Sequence, residues 1–123
     1  MFIVSYETNF KASHFVRGYK GKGEPLHEHT WRVEIRVKTK KMDKIGITFD
    51  FEDLKKKTEN LVLKLKKKNL NKLKEFQEKN PTTENLAKWF YDGIQKRMNG
   101  VKLDQIRVWE AEGCSVVYRE TSF

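Results

Sequence analysis

Between Phe2 and Val16 the chain alternates: Phe2, Val4, Tyr6, Phe10, Ala12, His14 and Val16 share one parity. A period of two is the mark of a half-buried strand, and a kink is expected near Thr8-Asn9. Residues 17–26 hold three of the seven glycines and Pro25, so a loop follows. The alternation then returns over His27–Val37. His27, His29, Trp31, Val33, Ile35 and Val37 face one way, while Glu28, Arg32, Glu34 and Arg36 face the other. One buried and one charged side is the pattern of an antiparallel sheet.

The period next lengthens to that of a helix. Asp50 or Asp53 opens it, Leu54, Leu61, Val62 and Leu65 supply its stripe, and it is expected to run to about Lys68. Asn69–Lys79 is polar and irregular, with a short turn expected around Leu70, Leu73 and Phe76. Pro81 stops what precedes it, and a Thr followed by acidic residues suits an N-cap. Leu86, Trp89, Phe90, Ile94 and Met98 then form a second helical stripe, which Asn99-Gly100 closes. Val101–Glu110 and Cys114–Arg119 read as two last strands around an Ala-Glu-Gly turn. The order is ββααββ, an α+β chain forming one domain over residues 1–123, with no internal repeat at the 20–50-residue scale.

Charge and composition narrow the function. The net charge is +9, and Lys55–Lys74 carries nine of the lysines. Because the same stretch has an apolar stripe, these lysines read first as the wet face of a helix. A nucleic-acid surface is the competing reading, and attraction of a phosphorylated substrate a third. No stretch approaches the roughly 18 apolar residues of a membrane span, and the N-terminus alternates like a strand instead of resembling a signal peptide. A soluble cytoplasmic protein is expected. The single cysteine, Cys114, has no partner for an intrachain disulfide.

The chain has three histidines. His27 and His29 lie on one strand face, about 7 Å apart along the backbone. Antiparallel pairing of the first two strands would bring His14 beside them. Three converging neutral imidazoles with one position open are the ligand set of a catalytic zinc site, and their second nitrogens need acceptors, from backbone carbonyls or Glu28. Copper and nickel take the same ligand type, and Zn2+ is the default ion for redox-inert lyase chemistry.

Several segments resemble, in order, the successive motifs of the 6-pyruvoyl tetrahydropterin synthase and 6-carboxytetrahydropterin synthase family. They are Phe10-Lys11-Ala12-Ser13-His14, Leu26-His27-Glu28-His29-Thr30-Trp31, Asp50-Phe51-Glu52-Asp53-Leu54, Asn80-Pro81-Thr82-Thr83-Glu84-Asn85-Leu86-Ala87 and Val108-Trp109-Glu110. The resemblance implies the tunnelling fold: a four-stranded antiparallel sheet with two helices on one face. It implies a homotrimer whose sheets close a barrel, or a homohexamer of two such trimers. It also implies His14, His27 and His29 as zinc ligands, and Glu110 as the anchor of the amino-pyrimidine edge of a pterin substrate. Thr82, Thr83 and Glu84 would be pterin contacts made across a subunit boundary.

The chain departs from the pattern in three places. Where 6-pyruvoyl- and 6-carboxy-forming members carry a nucleophilic cysteine, this chain has Gly23, and Glu24 resembles the subgroup in which Glu takes that cysteine's place. That subgroup cleaves the dihydroneopterin side chain toward 6-hydroxymethyl-dihydropterin. Glu28 stands where a Gly usually separates the paired histidines, so crowding is expected. The family's Asp-His relay pair aligns with Lys66 and Lys67. With all imidazoles assigned to zinc, Glu24 is left as the general base, with Lys67 as a second proton carrier. Lysines 64–68, or Lys20 and Lys22, would hold a substrate's triphosphate. A 6-carboxy reaction and a non-catalytic pterin- or purine-binding homologue are the competing functions.

Overall fold

The computed structural model describes residues 1–120. Its main elements are β1 (Phe2–His14), β2 (His27–Thr39), α1 (Phe51–Val62), α2 (Thr83–Gln95), β3 (Leu103–Ala111) and β4 (Cys114–Tyr118), with short 3-10 turns at Leu70–Lys72 and Lys74–Phe76. The strands form one antiparallel sheet in the order β1-β2-β3-β4. This is the four-stranded, two-helix arrangement that the alternating and helical periods imply.

Pairing of β1 with β2 runs unbroken from Phe2 opposite Thr39 to His14 opposite His27. The expected kink at Thr8-Asn9 is therefore absent, and β1 ends two residues short of Val16. The inward parities supply Phe10, Ala12, Trp31, Val33, Ile35, Val37, Ile106 and Val108, all buried. The helices cover this face with Leu54, Leu61, Leu86, Phe90 and Ile94. Burial of each such side chain stabilises the fold by about 1.5–3 kcal/mol. No helix among the described residues is long and apolar enough to cross a membrane.

α1 starts as expected, with the Asp50 carboxylate accepting from the Glu52 backbone N–H. It stops at Val62, six residues before the expected end. The reason is competition for hydrogen bonds. Lys67 turns to φ 60° and donates its backbone N–H to the Lys11 carbonyl at 2.7 Å, and Ser13 donates to the Lys68 carbonyl at 2.9 Å. The segment after α1 thus covers the outer edge of β1 near His14. Leu65 keeps its place in the core, while Lys66, Lys67 and Lys68 stay exposed.

α2 is capped by Thr82, whose hydroxyl accepts from the Asn85 N–H at 3.1 Å. It ends at Gln95, earlier than the Asn99-Gly100 pair, because turns continue through Met98. Gly93 lets α1 approach closely: a Cβ there would stand 2.8 Å from Leu61 Cδ1.

Candidate metal centre

The register decides the geometry. His14 is opposite His27, and Ala12 is opposite His29, so His14 sits across from one member of the pair and diagonal to the other. The ring centroids lie 4.7 Å (His14–His27), 5.1 Å (His14–His29) and 4.6 Å (His27–His29) apart. Trp31, two residues on along the same face, closes the base of the cluster. Its ring stacks edge-on against His14 at 4.8 Å and His29 at 5.3 Å, and its indole N–H donates to the Ala12 carbonyl at 3.2 Å.

Two of the rings are held in a defined tautomer. His14 Nδ1 lies 2.7 Å from the Pro81 carbonyl, and His27 Nδ1 lies 2.8 Å from the Pro25 carbonyl. A carbonyl can only accept, so each Nδ1 carries the proton and each Nε2 presents a lone pair. His14 Nε2 and His29 Nε2 are buried without a hydrogen-bond partner. Burial also pushes the His14 pKa below its ordinary value, outweighing the Pro81 carbonyl and Glu110, which raise it. A buried bare nitrogen is costly unless something occupies its lone pair. The candidate ligand atoms of all three residues lie within 4.8 Å of one another. Three imidazoles converging in this way, two with a buried nitrogen left without a partner, fit a zinc-type ion.

Two carboxylates border the cluster. Glu24 Oε1 is 3.8 Å from His27 Nε2 and accepts the Val16 backbone N–H at 3.0 Å. Glu110 approaches from the other side, with Oε1 3.5 Å from His29 Nε2 and Oε2 4.0 Å from His14 Nε2. The Thr83 hydroxyl donates to that Oε2 at 3.0 Å.

The sequence-predicted residues thus divide. His14, His27, His29, Glu24, Glu110 and Thr83 come together. Thr82 caps α2, Glu84 is exposed on its first turn, and Lys67 makes no hydrogen bond or ion pair with the cluster among the described residues. Thr83 reaches this chain's own Glu110. Glu28 is exposed on the opposite parity, so it neither crowds the histidines nor accepts from them. Gly23 has φ 76°, a conformation that disfavours any residue with a Cβ, and Cys114 lies in β4, opposite Ala111. Sequence reasoning did not assign Pro25 and Pro81. The available signal was that the chain's only two prolines each lie within two residues of a site residue.

Residues 3–121 match the family model for 6-pyruvoyl tetrahydropterin synthase. A dihydroneopterin monophosphate aldolase of Pyrococcus furiosus is 38% identical over 108 residues, covering 87% of this chain and 88% of the relative. A 6-carboxy-5,6,7,8-tetrahydropterin synthase of Rickettsia typhi is 28% identical, covering 88% and 93%. The solved structure of Caenorhabditis elegans 6-pyruvoyl tetrahydropterin synthase superposes with a TM-score of 0.81 at 21% identity, covering 98% of each chain. With its sheet order, its helices and nearly its whole length accounted for in this way, the chain belongs to the 6-pyruvoyl tetrahydropterin synthase family.

Proposed function

We propose that the protein is a zinc-dependent lyase that cleaves the side chain of a dihydroneopterin phosphate, releasing 6-hydroxymethyl-dihydropterin. His14, His27 and His29 would hold the ion. Bound there, zinc supplies a Lewis acid for the oxygen atoms of the pterin side chain. Glu110, steered by Thr83, anchors the amino-pyrimidine edge through paired N–H···O bonds.

The observation that carries the reading is the Glu24 carboxylate, fixed by the Val16 N–H beside His27 Nε2. Cleavage of the C1′–C2′ bond needs one proton removed from the 2′-hydroxyl and one returned to C1′. A single carboxylate can do both, taking the first proton and delivering it back. The reaction therefore asks for no second relay group, and this chain has no fourth histidine to supply one. The products are 6-hydroxymethyl-dihydropterin and glycolaldehyde, with the phosphate kept on the two-carbon fragment. The name of the Pyrococcus relative, an aldolase, supports the same class. A 6-carboxy reaction needs a thiol beside the site, and position 23 is a left-handed glycine.

The sheet edges support a closed assembly. On β1 the backbone groups of odd residues point outward, as Lys11 and Ser13 do toward residues 67–68. Ile3, Ser5, Glu7 and Asn9 thus offer a free edge antiparallel to that of β4, and closure into a homotrimer would remove both. The test of the function is product analysis. Zinc-loaded protein incubated with dihydroneopterin monophosphate should yield 6-hydroxymethyl-dihydropterin and glycolaldehyde phosphate. Unchanged substrate, or a 6-carboxy pterin formed from the triphosphate, would overturn the assignment.

A further inference from the structure

Beyond His14 the pairing of β1 with β2 ends, yet the backbone of residues 15–17 remains well bonded. Their partners are side chains. The Asn71 amide grips Phe15 at two points, accepting its N–H at 2.9 Å and donating to its carbonyl at 2.9 Å. The Asn80 amide does the same to Arg17, accepting at 2.8 Å and donating at 3.0 Å. A side-chain amide has the donor and acceptor of a peptide group, so these two residues act as a neighbouring strand on alternate positions. On the opposite side Val16 donates to Glu24. Arg17 ties the arrangement to the loop, its guanidinium donating to the Phe76 carbonyl at 2.7 Å and the Asn71 carbonyl at 3.4 Å.

The residues that follow Asn80 continue the same connection, one bond each. The Pro81 carbonyl accepts from His14 Nδ1, Thr82 caps α2, and Thr83 holds Glu110. The Asn80 carbonyl is itself fixed by the Asn85 amide at 2.8 Å.

We propose that Asn71 and Asn80 are positioning residues of the metal centre: their amides lock the chain on either side of His14, so that the Pro81 carbonyl meets His14 Nδ1 and Nε2 points at the ion. The inference rests on the zinc reading above but concerns a different part of the molecule. Removing a group that orients a metal-bound histidine typically weakens metal binding by about 10- to 100-fold.

The variant is Asn80→Leu, similar in shape and without polar atoms; Asn80→Ser replaces it should the leucine protein not fold. Ile94→Ala, about 16 Å along α2 from Thr83, is the control for destabilisation alone. Zinc affinity is measured by chelator competition, and site geometry by the visible spectrum of the cobalt-substituted protein. In the metal-free protein, nitrogen NMR of His14 reads which ring nitrogen carries the proton. The expected result is at least a ten-fold weaker zinc affinity, an altered cobalt spectrum and loss of the fixed Nδ1–H in the Asn80 variant, with none of these in Ile94→Ala. Wild-type affinity and an Nδ1–H fixed as in wild type, or the same losses in Ile94→Ala, would overturn the positioning role. Failure of the wild-type protein to bind zinc would instead overturn the metal reading, and the NMR measurement would still decide whether Asn80 fixes His14.

Discussion

Replacing Glu24 in two ways separates its two jobs. Its carboxylate is about three-quarters buried and accepts the Val16 N–H, with Oε1 3.8 Å from His27 Nε2. Glu24→Gln keeps an acceptor oxygen for Val16 and removes only the charge and the basicity. Glu24→Ala removes both functions. Loss of a positioned general base lowers the rate by about 10²–10⁴, or about 2.7–5.5 kcal/mol of barrier at 1.36 kcal/mol per decade, and both variants should show it at saturating zinc. Loss of a hydrogen bond to a charged acceptor, leaving a half-buried N–H, costs about 1–2 kcal/mol. Only the alanine variant should show that cost, as a midpoint lowered by about 3–6 °C per kcal/mol for a chain of this size. The assays are steady-state cleavage of dihydroneopterin monophosphate and calorimetric melting. A glutamine variant with the wild-type kcat would remove Glu24 from proton transfer. Equal melting losses in the two variants would show that the bond to Val16 does not depend on the retained oxygen.

Gly93→Ala sets helix propensity against packing. Alanine is favoured in a helix interior by about 1 kcal/mol, but the new Cβ would meet Leu61 Cδ1 at 2.8 Å and Cδ2 at 3.1 Å, and overpacking costs about 1–3 kcal/mol. Urea titration should show a net loss of up to about 2 kcal/mol, turning into a gain in a Leu61→Ala background; a gain in the wild-type background would refute the packing account. In metal-free protein the depressed His14 pKa has a definite sign: below its ordinary 6.5 the unfolded chain binds a proton that the folded chain resists. Stability should be fully present above about pH 6.5 and fall as the pH drops below it, and His14→Gln should flatten that slope; an unchanged slope would assign it elsewhere.

Legibility in the sequence followed the range of the interaction. Period-two alternation placed β1 and β2 and put His27 and His29 on one face, because each neighbour in the pattern lies two residues away. The helical stripes and the Pro81-Thr82 signal located α2 for the same reason. Two strands joined by a short loop have little choice of register, so the meeting of His14 with the pair was also readable. Where α1 ends was not, since Leu65 keeps the helical spacing while the Lys67 and Lys68 backbones turn to β1, more than fifty residues away.

The sequence by itself therefore determined the order of elements, the buried face and the identity of the three imidazoles. The tertiary structure alone decided which nitrogen of His14 and His27 faces inward, that Thr83 and not Thr82 turns to Glu110, and that Glu28 stays clear. It also decided that the chain beyond His14 is held by Asn71 and Asn80. The physical reason is that these choices depend on the direction of single carbonyls and amides, most of them paired across 56–67 residues. Hydrophobic pattern records which face is buried and carries no information on where a distant carbonyl points.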